Sequence, residues 1–474
     1  MQEVLIEPWL PLVEKPSRYI DHELNAVRKA WQDVNFCFVY PDVYEVGVSH
    51  LGLKILYSIV NRLDGVMADR AYLPWLDMIG IMRRERLPLF GLESRRPLRD
   101  FDLVGITLQT ELTYSNIPET LSLSDIPVLA KDRAESDPIV MAGGPCATNP
   151  LPLSRFIDVF FLGEAEAGIV EIAQIFSRVR DREGRLRELA KLESCYIPAL
   201  RTGQRVSSRK FTGFGAGGTL HSPQILSWQL ATHNRCVAEI MRGCSRGCRF
   251  CHAGYFYRPV RERDAAEVRD EILQEVALTG WDEAGLLSLS SSDYSRVKEL
   301  LAGLLETVDT DRTHISLPSL RVDALDPETV ELMRELGREG LTIAPEAGSQ
   351  RLRDIINKNL SEEEILRGVQ TALDLGWQKV KLYFMVGLPQ ETEEDIEGIV
   401  SLIQKIASLS RRLQINVTLS PFVPKPFTPF QWAGVLPREE ILRRCLKVKQ
   451  AFSRQRSVRV KYHTIENSLL EAVF

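Results

Sequence analysis

Short apolar runs of strand length alternate with longer amphipathic stretches along most of this chain, and that alternation restricts the fold more than any other feature of the sequence. Strand, helix and strand again is the pattern of a parallel sheet covered by helices, which meets its ligands at the carboxyl ends of the strands. Two such series are present. In the first, strands are expected over 35–40, 101–107, 138–142 and 159–162, with a helix over 51–62; the last two strands run into Gly143-Gly144-Pro145 and Gly163-Glu164. In the second, strands are expected over 237–241, 285–290, 314–317, 341–344, 379–386 and 415–419. Helices near 265–278, 294–305, 327–338, 361–375 and 393–409 separate them, and another follows over 437–454. Between the series the chain is charged and glycine-rich, includes Gly213-Phe-Gly-Ala-Gly-Gly218, and reads as a candidate linker, either free or packed on one of the domains. The expected fold class is therefore α/β: an N-terminal doubly wound parallel sheet (1–185), a linker (186–232), a six-unit partial (β/α) barrel (233–436) and a basic C-terminal extension (437–474).

Three cysteines, Cys244, Cys248 and Cys251, follow the first strand of the second series in the run Gly243-Cys-Ser-Arg-Gly-Cys-Arg-Phe-Cys251. They are one thiolate short of the set that completes a 4Fe-4S cluster, so this donor set leaves one iron open. The competing reading is structural zinc, which ordinarily takes four ligands from paired motifs; no second Cys-x-x-Cys or His pair lies nearby, and the adjacent His252 is the candidate fourth ligand. The other cysteines, Cys37, Cys146, Cys195, Cys236 and Cys445, lack framework spacing and read as buried small side chains.

A chain of 474 residues exceeds one small core, and its net charge of −5 demands neither nucleic acid nor membrane. No apolar run is long enough to span a bilayer and the N-terminus lacks a signal-peptide pattern, so a cytoplasmic protein is expected. One segment departs from this balance: 438–461 holds nine Lys or Arg against two Glu, a solvated helix face or an RNA-binding surface. Residues 467–474 read as an opening helix, which suggests a truncated or split chain with a separate or missing C-terminal domain.

The spacing Cys-x-x-x-Cys-x-aromatic-Cys, met by Cys244, Cys248, Phe250 and Cys251, resembles the signature of the radical S-adenosylmethionine (SAM) superfamily. The resemblance implies a 4Fe-4S cluster whose open iron chelates SAM, an external one-electron reductant such as flavodoxin or ferredoxin, and SAM contacts at several strand ends. It assigns Ser291 and Ser292 to the SAM amino group, with a helix N-cap as the alternative. In Ala344-Pro-Glu-Ala-Gly-Ser-Gln-Arg351 it assigns Glu346 and Ser349 to the ribose or methionine end, and Arg351 to the carboxylate; a plain turn with an exposed arginine is the alternative. The turn Gly387-Leu-Pro-Gln-Glu-Thr392 matches a family segment beside the adenine, and 420–432 is very like a segment of methylthiotransferases that walls a substrate cavity or seals the barrel.

The N-terminal series resembles the cobalamin-binding domain that precedes many radical SAM domains, through Gly143-Gly144-Pro145, Gly163-Glu164-Ala-Glu166 and Asp42-Val-Tyr44-Glu-Val-Gly47. The resemblance makes Tyr44, Gly47, Thr107, Gly143, Gly144 and Glu164 the cobalamin-binding candidates. Tyr44 stands where the Asp-x-His-x-x-Gly motif places its cobalt-ligating histidine, and His50 is close but off pattern. The leading expectation is a radical SAM enzyme that forms a 5'-deoxyadenosyl radical, with cobalamin-dependent methyl transfer where cobalamin binds. Sulfur insertion into tRNA is an alternative, with Cys37, Cys146 and Cys195 matching an auxiliary cluster in number but not in spacing; an RNA-binding protein with a structural cluster is another.

Overall fold

The strand Val34–Tyr40 (β1) is buried at every position, as a strand covered on both faces by helices must be. The computed structural model describes residues 3–200, 205–215, 222–317, 321–324, 326–337 and 340–474. The chain divides into two units, one holding the described residues of 3–213 and 222–234, the other 214–215 and 235–474.

The first unit is built on β1 with Val66–Tyr72 (β2), Leu103–Thr107 (β3), Ile139–Gly143 (β4), Val159–Phe161 (β5) and Cys195–Tyr196 (β6). Their order is β2-β1-β3-β4-β5-β6, parallel except for the antiparallel edge strand β6. The order reverses between β1 and β3, which makes the carboxyl ends of that pair a topological switch point. Helices Leu51–Asn61 and Glu166–Arg178 cover the sheet, with Phe176 set edge-on to Phe36 at 5.2 Å.

Strand β2 was absent from the sequence reading because Asp69 and Arg70 interrupt its apolar run. Both are fully buried and satisfied. The Arg70 guanidinium lies between the carboxylates of Glu23 and Glu93, while Asp69 accepts from the backbone of Glu93 at 2.9 Å and Ser94 at 2.8 Å.

Apart from 214–215, the described residues of the linker expected over 186–232 pack into the first unit. Helix Arg182–Leu189 and strand β6 close its edge, Leu189, Cys195, Ile197 and Ile225 enter its core, and Leu226 bridges to Leu24. The expectation was drawn from composition, and these few apolar residues are too widely spaced to show a period. Residues 201–204 and 216–221, including part of the Gly213–Gly218 run, lie outside the described residues.

The second unit carries Cys236–Glu239 (β7), Met241–Arg242 (β8), Arg261–Glu262 (β9), Glu283–Leu287 (β10), His314–Ser316 (β11), Gly340–Glu346 (β12), Lys379–Val386 (β13), Gln414–Pro421 (β14) and Val458–Tyr462 (β15). Two parallel sheets result, β11-β10-β7 and β12-β13-β14-β15, with β8 and β9 forming a small antiparallel ribbon. Both sheets contribute to one apolar core. All six expected strands are present; of the helix expected over 327–338, Pro327–Glu335 is described and residue 338 is outside. Within the basic extension expected over 437–474, the helix expected over 437–454 is present as Arg438–Ala451 and leads into β15, which pairs in parallel with β14. No described helix is long and apolar enough to cross a membrane.

Gly348, between β12 and helix Gln350–Ile355, shows how tightly this unit is closed. A β-carbon there would lie 2.1 Å from the Ile399 nitrogen and 2.5 Å from the Asp395 carbonyl oxygen, so backbone meets backbone. Gly348→Ala is expected to destabilise the second unit by about 3 kcal/mol, read as a shift in urea midpoint at unchanged slope.

Candidate cluster and cofactor site

Parallel register brings the functional segments of the second unit to common edges. Leu287 lies opposite Glu239, Phe384 opposite Glu346, and Val386 opposite Pro421, so the loops after β7 and β10 leave one edge and those after β12, β13 and β14 leave another. The cysteine loop starts at β8 and returns through helix His252–Phe256 to β9. Gly243 opens it with φ of +87°, and a β-carbon there would sit 2.7 Å from the Pro259 carbonyl oxygen. Phe250, the aromatic of the signature, packs on a platform of Ala347, Leu352, Ile356, Leu388 and Phe422. That platform joins the cysteine loop to the segments after β12, β13 and β14.

Cys244, Cys248 and Cys251 are partly exposed, whereas the other five cysteines are buried. Burial pushes the Cys248 and Cys251 thiols up, each is raised further by neighbouring thiols, and Lys358 pulls both back down; Arg321 does the same for Cys248. Among the described residues no three His, Cys, Asp or Glu converge as ligands of a single ion. A cube asks for less convergence than zinc does, because each thiolate binds a different iron. His252 heads the helix after Cys251, with its ring 5.7 Å from that of Phe256.

The expected SAM contacts divide sharply. Glu346 acts electrostatically on Cys251: it sits at an irregularity in the β12–β13 register with φ of +66°, an unusual conformation for a residue with a side chain, and bonds Lys358 at 3.4 Å. Burial raises its carboxyl above the ordinary range against the pull of Lys358. The side chains of the others have local duties. Ser291 bonds Ser288 at 2.9 Å, and the Ser292 hydroxyl accepts from the Arg321 amide at 2.6 Å. Ser349 caps the helix at Gln350–Ile355 and, with Arg351, is bound to Asp395; Arg351 also donates to the Gln390 carbonyl at 3.0 Å. Thus the guanidinium assigned to the SAM carboxylate already holds a carboxylate of its own chain. Gly387 has φ of +89°, and its amide donates to Glu391 at 2.7 Å.

Sequence reasoning missed Arg246, Asp293, Asp323 and Lys358. Arg246 lies inside the cysteine motif at a position the motif leaves free, and the others become neighbours only through the sheet.

In the first unit, the motif residues point inward. Tyr44 is buried, donates to Glu23, and is kept a neutral phenol because burial pushes its pKa far up. Gly47 is required because a β-carbon would lie 2.4 Å from the Tyr72 ring. Glu164 accepts from the Phe211 amide at 2.9 Å, and so secures the segment read as linker. Gly144, with φ of +103°, abuts the Leu108 carbonyl oxygen, while Thr107 accepts from Gln109 at 2.9 Å; these two and Gly143 do stand at the carboxyl edge of the sheet. His50 accepts from the Leu53 amide through Nδ1, and its ring is also hydrogen-bonded to the Gln109 side chain. The Tyr44 hydroxyl and the Nδ1 of His50 are both engaged within the chain.

Residues 238–403 match the radical SAM superfamily, and residues 52–198 match the N-terminal family of radical SAM proteins. An uncharacterized protein of Methanocaldococcus jannaschii is 30% identical over 445 residues, 93% of this chain and 88% of that one. The chain belongs to the radical SAM superfamily. A putative methylthiotransferase of the same organism is 28% identical over 165 residues, 33% of this chain and 36% of that one. The fold is similar to that of TsrM from Kitasatospora setae, a radical SAM methyltransferase solved with cobalamin and a 4Fe-4S cluster bound: TM-score 0.59 at 16% identity, covering 84% of this chain and 76% of that one.

For a radical SAM protein the donor set fits its cluster: three accessible thiols on one braced loop, with Lys358 and Arg321 to offset thiolate charge. An auxiliary cluster on Cys37, Cys146 and Cys195 does not fit. Cys37 on β1 and Cys195 on β6 are four strands apart, about 19 Å at ordinary strand spacing. Part of the basic run is paired internally, while Arg454, Arg456, Arg459 and Lys461 are exposed. Arg443 pairs with Glu393 and Glu440, Arg444 with Glu391 and Glu440, Lys447 with Glu393 and Glu397, and Lys449 lies over the Tyr462 ring.

Arg444 neutralises Glu391, whose side chain is 2% exposed. Arg444→Met is expected to cost about 3–5 kcal/mol in chemical denaturation, because it leaves a buried carboxylate unpaired. His50 titrates at about 4 in the folded chain, against an ordinary value of 6.5, because burial disfavours the charged ring. The unfolded chain therefore binds the extra proton first, and this contribution to stability is complete above pH 6.5 and is lost as pH falls from 6.5 to about 4. His50→Asn keeps a capping oxygen and removes the titration, so its stability should fall less than the wild type's across that window.

Proposed function

We propose that the second unit binds SAM over the loop of Cys244, Cys248 and Cys251 and supports its reductive cleavage, and that its two parallel sheets are segments of one open barrel. The observation that carries this reading is the three thiols of Cys244, Cys248 and Cys251, accessible on a loop whose Phe250 is packed into the platform beside β12 and β13. A 4Fe-4S cluster, when bound, supplies the low-potential electron that cleaves SAM to methionine and a 5'-deoxyadenosyl radical. The protein's own residues orient and shield. Lys358 and Glu346 present a charged pair beside Cys251, suited to the ammonium and carboxylate of the methionine end; with Arg351 committed to Asp395, Lys358 is the cation assigned to that carboxylate. Glu391, bonded to the Gly387 amide, holds the turn assigned to the adenine. The apolar platform beneath Phe250 keeps water from that side of the site. The electron comes from outside, from a flavodoxin or ferredoxin.

Anaerobic reconstitution should load about four iron per chain, and the reduced protein should then form 5'-deoxyadenosine from SAM. Cys244→Ala should abolish both. A protein with an intact cluster that makes no 5'-deoxyadenosine overturns the reading.

The first unit supports a corrinoid reading in a restricted form. Its β2-β1-β3-β4-β5 order and the open edge at Thr107, Gly143 and Gly144 are suited to a tetrapyrrole resting across the sheet, and TsrM, similar in fold, was solved with cobalamin. With the Tyr44 hydroxyl and His50 Nδ1 engaged within the chain, cobalamin would rest there without a ligand from either. Protein produced with cobalamin and purified anaerobically should carry about one cobalt per chain, unchanged in His50→Asn; cobalt-free protein rules the cofactor out.

A further inference from the structure

The cysteine loop is gripped in its middle from two sides. Arg246, in the gap between Cys244 and Cys248, turns its guanidinium fork onto Asp293: Nε meets Oδ2 at 2.8 Å, and Nη2 meets Oδ1. Its third nitrogen faces Asp323 at 3.7 Å. Asp293 stands just past β10 and is itself held by the Ser290 hydroxyl at 2.7 Å. Asp323 stands beyond β11 and is clamped by Arg321 at 3.0 and 3.1 Å. From the other side, the Asn357 amide nitrogen donates to the carbonyl of Gly247 at 2.9 Å, and the Arg249 backbone amide donates to the carbonyl of Ile356 at 3.0 Å.

These bonds involve none of the three thiols, so they are available before any metal arrives. A planar fork on two carboxylate oxygens fixes direction as well as distance, which an ammonium on a flexible stem cannot do. Asp293 also cancels the charge of Arg246, leaving its contribution mainly geometric.

Resting on the radical SAM reading above, the geometry points to Arg246 and Asp293 as positioning residues: their bidentate pair pre-forms the cysteine loop so that Cys244 and Cys248 meet the cluster with little rearrangement. Neither touches SAM in this account. The pair acts on cluster uptake and on the symmetry of the bound cluster's surroundings.

The test compares apo wild type, Arg246→Lys, Asp293→Asn and the double variant, each titrated anaerobically with limiting ferrous iron and sulfide. Arg269→Lys, on a helix surface pair with Asp270, is the control. Readouts are iron per chain, the electron paramagnetic resonance spectrum of the reduced cluster, and circular dichroism of the apo protein. Unaltered apo folding, with about a tenfold loss of cluster uptake at limiting iron, is expected in Arg246→Lys and Asp293→Asn, because charge is kept in the first and shape in the second while the fork is lost in both. The double variant should lose no more than either single one, since both remove the same contact. Altered g values in the clusters that do form would support the role further, as a purely structural arginine would not change them. Wild-type uptake and spectrum in both single variants overturn the proposal while leaving the radical SAM reading intact. A wild-type chain that takes up no cluster, alongside a folded control, overturns both.

Discussion

Parallel pairing of neighbouring strands is the interaction on which the rest of the second unit depends. A parallel ladder starts every strand at the same edge and ends every strand at the opposite one, so residues far apart in sequence emerge side by side. The β12–β13 and β13–β14 registers place Glu346, Gly387 and Phe422 at one edge, and the β7–β10 register does the same for the cysteine loop and Asp293. The apolar platform under Phe250 draws on three of these segments, which ties the metal-binding loop to the sheet by packing as well as by hydrogen bonds.

Buried charge supplies the next level of order. Asp395 gathers Ser349, Arg351 and the Thr392 amide and hydroxyl, and so locks the turn after β12 to the helix after β13. Glu391 performs a similar task between the Gly387 amide and Arg444. A carboxylate removed from water requires several donors, and each of these finds them on different elements. The residues expected to touch a ligand are in several cases the donors that keep such a carboxylate satisfied.

In the first unit the residues singled out for cobalamin serve the core and the chain's own backbone. Tyr44 occupies the histidine place but turns into the core, where it joins the Glu23–Arg70–Glu93 network and lies edge-on to Tyr72 at 5.2 Å. Gly47 is retained for the Tyr72 ring, Gly144 for the Leu108 carbonyl, and Glu164 for the returning segment at Phe211. Thr107, Gly143 and Gly144 stand at the carboxyl edge by the switch point.

By itself the sequence determined the elements and the donor set. Periodicity is a local property, so the six strands of the second series and their helices were legible, and the cysteine spacing names its chemistry because the ligands lie within one loop. Strand β2 escaped because its buried Asp69 and Arg70 look like surface residues until Glu23 and Glu93 are brought to them, whereas β15 has a legible alternation, Val458-Arg-Val-Lys-Tyr462, inside a run that stands out first for its charge. Only the tertiary structure decided which charges are already spent: Arg351 on Asp395, Arg444 on Glu391, Arg246 on Asp293. Those pairings span 44, 53 and 47 residues, and no local pattern can carry them, because they are set by which strand ends the parallel sheets bring together.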